Sequence, residues 1–152
     1  MNKNLKVVLV GLPGSGKSTF GRQLAQELGF PFLDLDQQIE EKYLKKIPEI
    51  FSIYGEGKFR EWETETLSGL LDRDSSFILA SGGGAPCFND NMELINSKSI
   101  SVYLDVPLES ISQRLQASKV QNRPMFLGLD QGEIILKLKS LLVTTEKFYN
   151  LA

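Results

Sequence analysis

Histidine is absent from the 152 residues, and cysteine and tryptophan occur once each, as Cys87 and Trp62. Without histidine there is no Ser-His-Asp or Cys-His nucleophile and no His-ligated zinc, so chemistry falls to carboxylates, Lys, Arg, Tyr and backbone amides. A lone cysteine excludes an intrachain disulfide and a thiolate metal cluster, and suits a reducing compartment or a redox-indifferent chain. No apolar run approaches the ~18 residues of a membrane helix. The N-terminal run Val7 to Val10 is too short for a signal-peptide core before Gly11 and Pro13 break it. A soluble, cytoplasmic protein is expected. Positive charge is not in excess either: 17 Lys and Arg against 19 Asp and Glu give a net charge of -2. No summed basic field exists to hold nucleic acid or an anionic membrane, so any bound anion is held locally. With 41% hydrophobic and 24% charged residues, the composition is that of one ordinary globular domain spanning 1–152.

What is present alternates between strand and helix patterns. Leu5 to Val10 is an apolar, β-branched run ending at Gly11, which reads as a buried parallel strand. Phe20, Leu24 and Leu28 then fall on one helical face, with Gly29 as the stop. Pro31 to Asp36 reads as a second strand with carboxylates at its C-terminal end, followed by a polar helix over Gln37 to Lys46. A short helix with Ile50, Phe51 and Tyr54 and a longer one from about Lys58 to Leu71 look like an inserted pair. Phe77 to Ser81 and Ser99 to Val106 are the third and fourth strands. A helix over Leu108 to Gln116 follows, then an aperiodic stretch at 117–131 that suggests a mobile loop, then a last amphipathic helix from about Ile134 toward Phe148. This order predicts a mostly parallel sheet covered on both faces. No internal repeat, low-complexity segment or linker interrupts it.

Gly11-Leu12-Pro13-Gly14-Ser15-Gly16-Lys17-Ser18 satisfies G-x-x-x-x-G-K-[ST], a pattern that chance places in roughly one chain of this length in two hundred. It follows a strand and opens a helix, where its glycines let amides point inward and the helix N-terminus favours phosphate. Gly14, Ser15, Gly16, Lys17, Ser18 and Thr19 are therefore the expected nucleotide-binding residues. Lys17 would reach the β- and γ-phosphates and Ser18 a Mg²⁺ ion. GTPases, motor ATPases, nucleotide kinases and small-metabolite kinases share this loop, so the acceptor must be sought elsewhere.

Ligands in open α/β sheets bind beyond the carboxyl ends of the strands. Asp34 and Asp36 lie there, two apart on an extended chain, one suited to order Mg²⁺-bound water and the other to take a proton from an attacking hydroxyl. Alternatively Asp36 caps the next helix and Asp34 is a solvated strand end. Arg60, between Phe59 and Trp62, either clamps a carboxylate or pairs with Glu56 or Glu63 at the surface. Gly82-Gly83-Gly84 either lets the backbone approach a ligand or is a flexible turn. Arg123 either closes over the nucleotide as an arginine supplied in cis or is a solvated loop residue, and Arg114 either stacks on adenine or lies on a solvated helix face.

Taken in order, GLPGSGKST at 11–19, FLDLD at 32–36, IPEIF at 47–51, FREWE at 59–63, SGGGAP at 81–86, VYLDVP at 102–107 and RP at 123–124 resemble the shikimate kinase family. The likeness runs from about residue 5 to 150, and the DLD, FR-x-x-E and GGG elements separate it from gluconate kinases and nucleoside monophosphate kinases. The resemblance implies an adenylate-kinase-like, three-layer P-loop α/β fold with a mostly parallel sheet of four or five strands. It also implies a helical substrate-binding insertion at about 37–72 and a lid at about 117–131. The implied activity is transfer of the ATP γ-phosphoryl group to the 3-hydroxyl of shikimate, in the route to chorismate and aromatic amino acids. Carried onto matching positions, Asp36 would hold shikimate hydroxyls and act as base or positioner, Arg60 would pair with its carboxylate, and Gly82, Gly83 and Gly84 would line its ring. Asp34 and Ser18 would serve Mg²⁺, Lys17 and Arg123 the phosphates, and Arg114 the adenine. Such roles are positioning and electrostatics, which suit a site without histidine.

Two departures stand out. The last helix of the family carries a second carboxylate-binding arginine four residues before a tyrosine; here that position is Thr145, before Tyr149. A charge-assisted hydrogen bond contributes about 1.5–3 kcal/mol, so shikimate binding is expected to be about 10- to 150-fold weaker unless Lys147 or another cation substitutes. The family also continues past the position of Ala152 into a fifth strand and a terminal helix. A monomer is expected, but a four-stranded sheet would leave a flank of its first or fourth strand exposed, and dimerisation or some other cover would relieve that edge. Two rival functions follow: a kinase of another small hydroxy acid such as gluconate, and a nucleotide-binding homologue of weak or no activity.

Overall fold

The computed structural model describes residues 4–117, 126 and 128–152. Lys6–Val10 (β1), Phe32–Asp34 (β2), Phe77–Ala80 (β3) and Ile100–Tyr103 (β4) form one parallel sheet in the order β2-β3-β1-β4. Strand side chains alternate between faces. Val7, Leu9 and Ile78 pack with Ala25 of α1 (Lys17–Leu28), in one core. Val8, Val10, Phe77 and Leu79 point the other way, into a larger core shared with α2 (Leu35–Tyr43), α3 (Ile47–Leu71), α4 (Asn91–Lys98), α5 (Leu108–Ala117) and α6 (Gln131–Tyr149). Helices therefore cover both faces, which is the three-layer α/β class expected. β1, with Val8, Leu9 and Val10 sealed from solvent, runs between β3 and β4. Of the two strands expected to have a free flank, the fourth is an edge and the first is not: the sheet edges are β2 and β4.

α1 meets the sheet through a different face from the one its large apolar residues suggest. Phe20 and Leu28 are 42% and 44% exposed, whereas Lys17, Gly21 and Ala25 are buried. Size decides this: a Cβ on Gly21 would lie 2.6 Å from Phe32 Cε2 and 3.1 Å from Leu9 Cδ1. Only small residues let the helix axis come so close.

β2 is shorter than expected and α2 begins earlier, at Leu35 rather than Gln37, because Asp34 caps it with Oδ1 accepting from the Gln37 amide at 3.2 Å. α3 is two helical segments joined at Gly55, whose φ of 83° breaks the helical path, in keeping with the inserted pair. α4 is not foreseen in the sequence pattern. Its signal is the i, i+3 pair Met92 and Ile95, both buried, and Asn91 anchors it by donating to the Ala85 carbonyl at 2.8 Å. The lid expected at 117–131 has helical ends. α5 runs through Ala117, and α6 starts at Gln131 behind a capping box in which Asp130 Oδ1 accepts from the Glu133 amide at 2.8 Å. Phe126 is buried in the large core, and 118–125 and 127, with Arg123, lie outside the described residues.

Candidate active site

β1 delivers the chain to Gly11 at the carboxyl end of the sheet, and the loop to Lys17 turns back on itself to start α1. Gly14 and Gly16 take φ of 79° and 94°, and a Cβ on either would lie 2.9 Å from Leu115 or Arg114 side-chain atoms. The left-handed turn and the close approach of α5 both exclude a side chain there. Lys17 Nζ donates to the Gly11 and Leu12 carbonyls at 2.7 and 2.8 Å, which holds the ammonium inside the loop. Arg114 Nη1 donates to the Ser15 carbonyl at 3.1 Å, so its guanidinium is placed against the outer wall of the same loop. Among the described residues, the buried Ser15 hydroxyl has no hydrogen-bond partner.

A cleft of about 560 Å³ opens over this loop, bordered by Lys17, Ser18, Thr19, Asp34, Asp36 and Arg114 among others. A second pocket of about 260 Å³ adjoins it, and the two share Pro13, Asp36, Gly82 and Gly83. Asp36 is in the first turn of α2 rather than on an extended chain, which corrects the expected side-by-side carboxylates. Since Asp34 is the cap, the helix carries Asp36 round to the junction of the pockets. A Cβ on Gly82 would lie 3.2 Å from its Oδ1. Burial raises the Asp36 pKa to about 6, helped by the negative charges of Asp34 and Glu40 and opposed by the cations Lys17 and Arg60.

The second pocket is walled by α3, the triple-glycine loop and α6. Arg60 lines this pocket and is ion-paired, with Nη1 donating to Glu63 Oε1 at 2.9 Å and Nε 3.6 Å from Glu56. Its guanidinium lies 4.1 Å from the Phe88 ring centroid, and a Cβ on Gly84 would come within 2.7 Å of Nη2. Among the described residues, the buried Nε hydrogen finds no hydrogen-bond acceptor. Glu63 is 1% exposed, and burial raises its pKa against the pull of Arg60. Glu63 entered the sequence reading only as a surface partner of Arg60. Its burial follows from its place one turn beyond Phe59, four residues on. On the opposite wall, Thr145 donates to the Leu141 carbonyl at 2.9 Å, and the buried Tyr149 donates to the Gly83 carbonyl at 2.5 Å. Tyr149 was legible only as the tyrosine of a motif; its bond to the triple-glycine loop has no local signal.

The site thus joins the glycine-rich loop to a small pocket that, among the described residues, holds one guanidinium and two carboxylates. The family model for shikimate kinase matches residues 13–150. A shikimate kinase of Bacteroides fragilis is 39% identical over 148 residues, 97% of this chain and 82% of that protein. The crystal structure of shikimate kinase from Bacteroides thetaiotaomicron superposes with a TM-score of 0.91 at 36% identity, over 97% of this chain and 83% of the other. Shikimate kinase from Acinetobacter baumannii in complex with shikimate gives 0.83 at 40% identity, over 98% of this chain and 80% of the other. The family-model match over most of the chain, the identity to these relatives and the likeness of fold show that the chain belongs to the shikimate kinase family.

Proposed function

We propose that the chain is an ATP-dependent kinase that transfers the γ-phosphoryl group to the 3-hydroxyl of shikimate. One observation carries this: the nucleotide cleft and the acceptor pocket meet at Asp36, so a hydroxyl bound in the small pocket lies beside a phosphate held over the loop. In the transfer, the acceptor oxygen forms a bond to the γ-phosphorus, the bond from that phosphorus to the β–γ bridging oxygen breaks, and ADP leaves. Asp36 accepts the hydrogen bond of the attacking hydroxyl and receives its proton; with its pKa near 6 it is ionised at neutral pH and weakly basic enough to release the proton afterwards. Lys17 exchanges its two loop carbonyls for phosphate oxygens as charge shifts onto the leaving ADP. Gly14, Ser15, Gly16, Ser18 and Thr19 hold the phosphates, Arg114 the adenine, and Arg123 the transferring group. Arg60 pairs with the acceptor carboxylate, while Gly82, Gly83 and Gly84 line its ring.

Ser18 and Asp34 border the nucleotide cleft with hard oxygen donors, which fit Mg²⁺. Among the described residues no group of three or more acidic, Cys or His side chains could hold a metal ion, so the nucleotide and water would supply the remaining ligands. Bound there, Mg²⁺ would neutralise phosphate charge. Residues 1–152 act as one kinase domain, with acceptor-binding helices over about 37–72 and a lid over about 117–131. No described helix is long and apolar enough to cross a membrane.

The test is ADP release from Mg·ATP with and without millimolar shikimate, with gluconate as control. Shikimate-dependent release that Lys17→Ala lowers about 10²- to 10³-fold supports the assignment. Nucleotide binding with no shikimate-dependent release would favour the inactive homologue, and gluconate-dependent release the other small-acid kinase.

A further inference from the structure

Phe88 belongs to neither hydrophobic core and is 37% exposed. Its ring is set against Arg60 instead: the guanidinium carbon lies 4.1 Å from the ring centroid, closer than the 5.1 Å to Phe59, its neighbour in the chain. Hydrogen bonds fix the backbone that carries this ring. Asn89 and Asp90 take left-handed φ of 51° and 58°, and the Asn91 amide donates to the Phe88 carbonyl at 2.9 Å, a tight turn that suits Asn and Asp. Asn89 Nδ2 donates to Thr64 Oγ1 at 3.1 Å and to the Arg60 carbonyl at 3.4 Å, so the turn is fastened to α3 at the residue whose side chain the ring covers.

Arg60 has a choice of partners that such a fixture settles. Glu63 is buried and holds Nη1 at 2.9 Å, whereas Glu56 is exposed and lies 3.6 Å from Nε. A swing toward Glu56 would take the guanidinium away from Glu63 and the acceptor pocket that both line. The face of an aromatic ring attracts a guanidinium and uses none of its N–H donors. Among the described residues, Nη1 to Glu63 is the hydrogen bond that the guanidinium makes, so donors remain for a ligand carboxylate. Phe88 is not one of the residues lining the pocket, so its influence on an acceptor runs through Arg60.

Resting on the proposed kinase reading, we propose that Phe88 is a positioning residue for phosphoryl transfer: its ring holds Arg60 in the geometry that receives the acceptor carboxylate, without touching the acceptor.

The experiment is steady-state kinetics on Phe88→Leu and Phe88→Tyr, each alone and with Arg60→Gln, using calorimetric shikimate affinity where turnover is too slow. Phe88→Leu removes the ring and is expected to raise the KM for shikimate about three- to tenfold, with kcat and the KM for ATP within about twofold of wild type. Phe88→Tyr keeps the ring and is expected to restore the shikimate KM. With Arg60→Gln, where no guanidinium meets the ring, Phe88→Leu is expected to cost nothing further. Should Phe88→Leu not fold, Phe88→Gln, suited to the exposed position, takes its place. An unchanged shikimate KM in Phe88→Leu, an equal rise in Phe88→Tyr, or the full rise persisting with Arg60→Gln overturns the inference and leaves the kinase reading intact. No shikimate-dependent ADP release by the wild type overturns the kinase reading, and this inference with it.

Discussion

Asp36 is costly to the fold because of where it stands. A carboxylate whose pKa rises from 3.8 to about 6 on folding binds more protons folded than unfolded between those values. The contribution of Asp36 to stability is therefore most favourable below the lower value, falls as pH rises between the two, and stays reduced above the upper one. Asp36→Asn removes the ionisation, so it is expected to stabilise the protein by about 2–3 kcal/mol at pH 8 and to leave it unchanged at pH 3, as read by urea unfolding. The same variant is expected to lose phosphoryl transfer at every pH, while the wild-type kcat/KM falls on the acid side near pH 6 as the base is protonated. A variant no more stable at pH 8 than the wild type would show that Asp36 is not strained by burial. The sequence placed an acid at the end of β2 but not its setting: a cap at Asp34 moved the helix start by two residues, and burial beside Gly82 did the rest.

Elements are positioned by the size of their contacts as much as by apolar periodicity. α1 illustrates this, since its largest apolar side chains, Phe20 and Leu28, lie half in solvent while Gly21 touches the sheet. Two glycine substitutions separate the effects. Gly21→Ala would drive a methyl against Phe32 and is expected to cost about 1–3 kcal/mol. Gly69→Ala, at an exposed position of α3 where a Cβ meets nothing within 4 Å, is expected to stabilise by about 0.4–1 kcal/mol. Thermal unfolding of both variants checks the pair, and equal effects would refute the packing account. Strand and helix order was legible from β-branched runs and helical spacing. The faces were not, because which helix side meets a sheet depends on partners distant in sequence, as Gly21 does on Phe32.

At the level of the whole molecule, the acceptor pocket is closed by bringing α6 against the triple-glycine loop, 66 residues away from Tyr149 to Gly83. Tyr149 is fully buried, with its ring 5.2 Å from that of Tyr103, so its hydroxyl is directed at one carbonyl. Burial raises the pKa of its hydroxyl, which keeps the donor protonated throughout the working pH range. Tyr149→Phe is expected to lower stability by about 1 kcal/mol and to raise the acceptor KM severalfold with kcat nearly unchanged, because the loop is freed while Asp36 and Lys17 stay in place. Urea unfolding and steady-state kinetics on one preparation check both, and a loss confined to kcat would show that Tyr149 acts on the transfer step instead.

By itself the sequence determined the parallel α/β class, the phosphate loop and the chemistry open to a chain without histidine. Each of these is local, written in a strand's apolar run, in glycines whose backbone the loop requires, or in the residue types available. Only the tertiary structure decided that Asp36 sits at the junction of two pockets, that Arg60 is shared with a buried Glu63, and that Thr145 and Tyr149 close the far wall. Those relations join segments far apart in the chain, and burial and neighbouring charge act through space, where sequence spacing carries no record of them.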